Sequence, residues 1–288
     1  MKSSELILND DGSIYHLGLK PGDCAPFIIT VGDPDRVSMV TQHFDSISFT
    51  HQTREIHAQT GTFSGIKITV ISTGMGTDNI DIVFNELDAL FNMDLSSGHP
   101  LPNHTPLTLI RLGTSGAIQP NIPLNSVVVA QTAIGFDNLL HYYKLPPHAV
   151  AKSLIDYLSL AAVFNHPYAA DGDPSLLAAC ADLGFSKGVI ATNSGFYGPQ
   201  LRQLRLPTTK PYSLDQLVNF RHHQLAITHL DMESSAIYGL SHLMGHRAIS
   251  ISAILANRSL GSFSADPNAA VEKMILRTLE GVAAGTFE

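Results

Sequence analysis

Several short segments of this 288-residue chain combine side chains in patterns that suit chemistry. Gly32-Asp33-Pro34-Asp35-Arg36 follows an apolar, strand-like run and opens a helical stretch. Glycine there lets backbone N–H groups face an anion, the helix start adds its positive end, and the arginine adds a planar charged fork. A turn in which Asp33 or Asp35 caps the helix accounts for the same pentapeptide without a ligand. Arg111-Leu112-Gly113-Thr114-Ser115-Gly116 closes a second apolar run with a Gly-Thr-Ser-Gly turn. It groups a guanidinium, a hydroxyl and backbone donors, a set that suits a tetrahedral oxyanion. Its plain alternative is an arginine paired with a carboxylate beside an ordinary turn.

Three further segments address other ligand chemistry. Asp231-Met232-Glu233-Ser234-Ser235-Ala236 starts a helix. A fixed carboxylate there accepts hydrogen bonds from vicinal sugar hydroxyls and a methionine packs on the sugar ring, while helix capping by Asp231 or Ser234 is a complete structural reading of the same residues. Gly195-Phe196-Tyr197-Gly198-Pro199-Gln200-Leu201-Arg202 sets an amide and a guanidinium two positions apart beside an aromatic pair. Gln200 and Arg202 suit a heterocycle edge that offers carbonyl acceptors and a ring N–H, as uracil does. Arg258 ends the strand-like run from Ala248, and in the same cleft it would stabilise charge on a departing base; alone, it reads as a solvated strand end.

The elements that must position these residues read as an α/β sheet, with β-branched runs between stretches of helical period. Strands are expected at Phe27 to Val31, Gly65 to Ser72, Leu107 to Leu112, Ser126 to Ala133, Lys187 to Ala191 and Ala248 to Ala256. Helices are expected at Asp35 to His43, Asn79 to Asn92, His148 to Ala162, Pro174 to Leu183, Ser213 to His223, Met232 to Met244 and Asp266 to Ala283. Thr60 to Phe63 faces Ile66 to Thr69 across Ser64 and Gly65 as a hairpin, which makes the sheet mixed. Glycines close several strands, at Gly32, Gly74, Gly76, Gly113 and Gly116, and ligands gather at such carboxyl ends.

One domain spans 1–288, because no segment has the composition of a linker or repeats at a fixed period, and Asp94 to Pro106 reads as a surface insertion. The 17 basic and 25 acidic residues give a net charge of −8, against any general affinity for nucleic acid or anionic membrane, so anion binding must be local. The two cysteines, Cys24 and Cys180, form neither a metal-spaced pair nor a disulfide framework. The polar start, without a secretory signal, and the lack of an apolar run of ~20 residues complete the expectation of a cytoplasmic protein. The 14 histidines include His242 and His246 at helical spacing, but without an HExxH pattern they read as surface or packing residues, and no metal is expected.

Taken in order along nearly the whole chain, from His16-Leu17-Gly18-Leu19 to Asn257-Arg258, the segments resemble the nucleoside phosphorylase family of uridine phosphorylases and hexameric-type purine nucleoside phosphorylases. The resemblance implies a three-layer α/β/α subunit with a central mixed, partly barrel-like sheet. It also implies a homo-oligomer, dimer or hexamer, whose active site is shared between subunits. Phosphate would be held by Gly32, Arg36, Arg111, Thr114 and the neighbour's Arg54; ribose by Met232, Glu233 and the neighbour's His16; the base by Phe196, Gln200, Arg202 and Arg258. A monovalent cation near Glu55 and Ser72 at a subunit interface is a further, weaker implication. Arg258 stands where the purine enzymes carry an aspartate, which points to uridine.

The implied reaction is direct phosphorolysis, with inorganic phosphate as co-substrate and no cofactor. Phosphate attacks the anomeric carbon, with Arg111 stabilising it and Arg258 stabilising the departing base. The alternatives are a purine or broad-specificity phosphorylase, a hydrolytic nucleosidase, and a catalytically weak nucleoside-binding homologue. Three departures bear on these. Asp231 replaces a usual glutamate, Thr77-Asp78-Asn79 replaces a Gly-Pro-Ser-like stretch, and the 94–106 insertion is extra.

Overall fold

The computed structural model describes residues 4–160 and 166–287, so the last two positions of the helix expected to reach Ala162 lie outside the described residues. Strand β1 (Phe27–Val31) is an apolar run buried along nearly its whole length. It lies between two parallel partners, β4 (Ile66–Ser72) and the start of β7 (Thr108–Ala117). Such double-sided burial is what a continuous apolar run encodes. Helix α1 (Pro34–Thr41) starts at once, with Pro34 in its first turn and the Asp33 side chain accepting the Asp35 N–H.

The expected hairpin forms between β3 (Ile56–Phe63) and β4, turning through Ser64 and Gly65, both at positive φ as a two-residue hairpin turn demands. β3 begins earlier than expected because it also pairs with β2 (Ser46–Thr53). That edge strand carries no apolar run, since one of its sides faces solvent.

Helix α2 (Thr77–Asn92) leads into the 94–106 segment, which stays on the surface and contains a minimal ladder of β5 (Met93–Asp94) with β6 (His99–Pro100). Asn92 accepts the Thr105 N–H at 2.7 Å, and the His104 ring bonds the Met244 carbonyl at 2.9 Å, so this segment is pinned at its far end. Asp88, His104 and His246 bring potential metal ligands within 4.8 Å of one another. The Leu107 N–H donates to His246 Nδ1, so the neutral ring carries its proton on Nε2, which faces Asp88 Oδ1 at 3.2 Å. A ligating nitrogen needs a lone pair there, and the cluster is therefore a polar pin rather than a metal centre.

The remaining elements are β8 (Val127–Gly135), α3 (Ala149–Leu158), β9 (Tyr168–Asp171), α4 (Pro174–Asp182), β10 (Ser186–Thr192), α5 (Leu214–Asn219), β11 (Ile227–Asp231), α6 (Ser234–Met244), β12 (Arg247–Asn257), β13 (Ser262–Phe263) and α7 (Pro267–Ala283). Strands β7, β12, β8, β10 and β11 close on themselves as a mixed barrel. Alternation divides the sheet's apolar side chains. Ile29, Ile110 and Ile249 pack with Val37, Leu176 and Met274 of α1, α4 and α7, while Ile28, Leu109 and Ala248 pack with Phe84 and Ile237 of α2 and α6. The result is the expected three-layer arrangement.

One expectation is corrected. Gly113-Thr114-Ser115-Gly116 is not a turn: β7 runs through it to Ala117, because β12 pairs alongside from Arg247↔Thr108 to Asn257↔Ala117. Arg111 thus sits inside a strand. The helix expected to start at Met232 also starts later, at Ser234, after the unforeseen strand β11. No helix among the described residues is long and apolar enough to cross a membrane.

Candidate active site

A cleft of about 750 Å³ opens at the carboxyl ends of β1, β7 and β11 and beside β12. It is lined by Gly32, Arg36, Arg111, Thr114, Phe196, Gln200, Arg202, Met232 and Glu233, so most of the residues singled out in the sequence converge. A smaller cavity of about 390 Å³, lined by His148, Asp171 and His242, contains none of them.

Two guanidiniums meet at one end. Arg36 comes from the first turn of α1 and reaches the Leu112 carbonyl at 3.4 Å. Arg111 projects from β7 and folds back across Gly113, where any Cβ would overlap its Nη1 and Cζ. Glycine is therefore required at 113 for this arginine's path. Burial and then the neighbouring Arg111 lower the Arg36 pKa, the signature of two like charges facing one space. An anion between them relieves both costs.

Arg111 is nonetheless anchored. Its Nη2 donates to Glu233 Oε2 at 2.5 Å and lies 3.6 Å from Asp231 Oδ2. Burial works against the Arg111 charge, but the two carboxylates reverse that and raise its pKa. Glu233 is itself pushed up by burial, opposed by Arg111 and by the Gly76 N–H, which donates to its Oε1 at 2.8 Å. Gly76 has φ 97°, a conformation glycine adopts freely, and this lets the loop after β4 aim its N–H inward. Met232 lies beside Glu233 on the cleft wall.

Asp231 does something else. Its Oδ1 accepts the Thr192 hydroxyl at 2.7 Å, and its Oδ2 accepts the Ser234 N–H at 3.0 Å and the Ser234 hydroxyl at 2.6 Å. Its side chain is 1% exposed. Asp231 therefore ties β10 to the first turn of α6, the capping reading, and supports Arg111 from below.

At the other end, Arg202 stacks its guanidinium 3.8 Å over the Phe196 ring and donates through Nη1 to the Phe196 carbonyl at 2.8 Å and to Gln200 Oε1 at 2.5 Å. Gln200 Nε2 donates to the Asp231 carbonyl at 3.2 Å. These bonds fix the amide orientation, leaving one lone pair and one N–H for an incoming heterocycle. Burial, then Arg258, bring the Arg202 pKa down to about 10. Arg258 Nη1 donates to the Gln200 carbonyl at 2.5 Å, and its Cδ lies 3.9 Å from where a Cβ on the cleft-lining Gly116 would sit.

His16 and Arg54 are not brought into this cleft. His16 Nδ1 pairs with Glu86 at 2.5 Å, and Arg54 lies over the Tyr15 ring at 5.6 Å, so the two occupy one neighbouring surface. Glu55 lines the cleft, whereas the buried Ser72 hydroxyl donates to the Glu55 carbonyl and accepts the His57 N–H. Sequence reasoning missed Leu255, Ala256 and Phe263, which wall the base end. The exposed Phe263 beside a strand end was their one signal.

Residues 26–280 match the family model of the phosphorylase superfamily. The chain is 28% identical over 91% of its length to a uridine phosphorylase of Thermococcus kodakarensis, covering 83% of that protein. It is 29% identical over 82% of its length to a DeoD-type purine nucleoside phosphorylase of Listeria monocytogenes, covering 84% of it. Among solved structures, a Trypanosoma brucei nucleoside phosphorylase with uridine phosphorylase activity superposes with a TM-score of 0.85 at 28% identity, over 97% of this chain and 99% of that one.

Proposed function

Because the chain belongs to the phosphorylase superfamily, we propose that it is a uridine phosphorylase, a pentosyltransferase that converts uridine and inorganic phosphate to uracil and ribose 1-phosphate. The observation that carries this reading is the pair Arg36 and Arg111, whose guanidiniums face one space beside Thr114 and Gly32. Water needs no such charge, and phosphate does. The uridine phosphorylase of T. kodakarensis and the T. brucei enzyme support the same substrate.

Each group then has a task. Phosphate sits between Arg36 and Arg111 and attacks the anomeric carbon as the glycosidic bond loosens. Glu233 accepts hydrogen bonds from the sugar hydroxyls while Met232 packs on the ring. Gln200 and Arg202 hold the uracil edge, and Arg202 stabilises the negative charge that develops as the base leaves, with Arg258 fixing the loop that carries both. Removing one such donor typically costs ~3 kcal/mol, roughly a hundredfold in rate.

A second copy of the chain would bring its Arg54 and His16 to this cleft, which suits their shared position beside Tyr15. The two free, buried thiols, Cys24 and Cys180, suit a reducing cytoplasm. The decisive experiment is release of uracil from uridine with and without phosphate, following ribose 1-phosphate alongside. Release only with phosphate, matched by sugar phosphate, establishes the reading; release without phosphate makes the chain a hydrolase, and turnover of inosine but not uridine makes it a purine enzyme.

A further inference from the structure

The Arg111 guanidinium has a second face. Its Nη1 is buried and has no hydrogen-bond partner among the described residues, although a charged donor in that position is costly to leave unsatisfied. The path of the side chain says where this atom lies: directly over Gly113. In the ladder between β7 and β12, the residue opposite Gly113 is Ser252, and opposite Arg111 is Ser250. Ser252 Oγ is also buried and unpartnered, whereas Ser250 is taken by Ser234. On the other flank, Thr30 of β1 stands opposite Arg111, and its Oγ1 is unpartnered too.

A fourth group completes the set. The Thr228 hydroxyl donates to the Val189 carbonyl at 2.8 Å, so its oxygen must accept the proton of His229 Nδ1 at 2.7 Å. His229 Nε2 is then a bare lone pair, buried and without a partner. His229 is paired with Ala117, which by strand alternation shares the face of Arg111, Gly113 and Ser115. One face of the barrel wall thus presents a group that can only donate, one that can only accept, and hydroxyls that do either. A buried water is stable where a polar site offers it two to four partners.

We propose that Ser252 is a positioning residue for Arg111, acting through a water molecule buried in the barrel that accepts from Arg111 Nη1 and bonds Ser252 Oγ. The water fixes the plane of the guanidinium, so that Nη2 holds Glu233 and the N–H groups left over are aimed at phosphate. The kinetic consequence rests on the phosphorolysis reading; the water does not.

The test compares Ser252→Thr with Ser252→Val, which share a shape and differ in the hydroxyl. Phosphate KM in the valine protein should exceed that in the threonine protein by about five- to tenfold, with uridine KM equal in the two. Equal phosphate KM values overturn the proposal, as does an equal rise in the KM of both substrates, the mark of general distortion. A high-resolution crystal structure of the wild-type protein decides the matter independently of turnover. Ordered density within hydrogen-bond distance of both Arg111 Nη1 and Ser252 Oγ supports it, and a dry contact at Nη1 refutes it even if the chain proves to turn over no nucleoside.

Discussion

Gly113→Ala tests the placement of Arg111 with the smallest available change. The alanine Cβ would overlap Arg111 Nη1 and Cζ and stand 2.8 Å from Nη2. Position 113 is not at positive φ, so alanine takes the same backbone without strain and the cost falls on the guanidinium alone. That group is the flexible end of a long side chain, but it is enclosed and tied to Glu233 at 2.5 Å, so it has to leave its carboxylate to make room. Breaking a charge-assisted bond of this kind costs about 1.5–3 kcal/mol of stability. Withdrawing a donor from the phosphate costs about 3–4 kcal/mol of transition-state stabilisation, roughly 10²- to 10³-fold in kcat/KM for phosphate.

The internal control is Gly116→Ala in the same strand, where the new Cβ would meet Ala256, Arg202 and Arg258 atoms at 3.8–3.9 Å, ordinary contact. It projects toward the base end, so any effect should appear in uridine KM and leave phosphate KM alone. The assay is steady-state phosphorolysis with each substrate varied in turn, beside a melting curve. A folded Gly113→Ala protein with phosphate kcat/KM within about threefold of wild type would refute the assignment of Arg111 to phosphate.

Three further outcomes follow. Because Arg202 fixes the Gln200 amide with its oxygen as an acceptor, cytidine, whose ring nitrogen there is also an acceptor, should be turned over about 10⁴-fold less efficiently than uridine; comparable rates would show that the amide is not read. Burial, with Asp231 opposing and Arg111 adding, brings the His229 pKa down to about 4 from 6.5. The unfolded chain therefore takes up this proton first as pH falls, so stability held above pH 6.5 declines toward pH 4, by about 2 kcal/mol at pH 5. His229→Asn should flatten that decline in urea midpoints, and an unchanged pH slope would show that another group titrates. EDTA should leave the melting temperature unchanged, because the Leu107 N–H on His246 Nδ1 leaves the proton of the neutral ring on Nε2; a fall in the melting temperature that zinc restores would overturn that tautomer.

The sequence showed elements wherever burial is expressed as an apolar run. β1, β4 and β12 and the helices α2, α4 and α7 were legible for that reason. β2 was not, because an edge strand with the sequence SISFTHQT has no such run. β11 was not, because Ile227–Asp231 places His229 and Asp231 toward the polar side of the barrel wall, where burial does not select apolar side chains. Gly113 to Gly116 read as a turn because its strand character comes from β12, a partner more than a hundred residues away. Among the site residues, those on strand ends and the loops after them converged as their order suggested. The bond from Arg258 to the Gln200 carbonyl was not legible, because it joins two segments 58 positions apart.

On the phosphorolysis reading, the carboxylates explain how an acidic chain would hold phosphate. Arg36 makes no ion pair among the described residues and is already destabilised as a cation by burial and Arg111, so it gains most from a dianion. Arg111 is balanced in advance by Glu233 and Asp231. One guanidinium therefore awaits the anion, while the other forms the wall between the phosphate and sugar ends. Asp231 makes this possible by its shortness. Saturated by Thr192 and Ser234, it stays 3.6 Å from Arg111, near enough to stabilise the charge and too far to claim the guanidinium from Glu233.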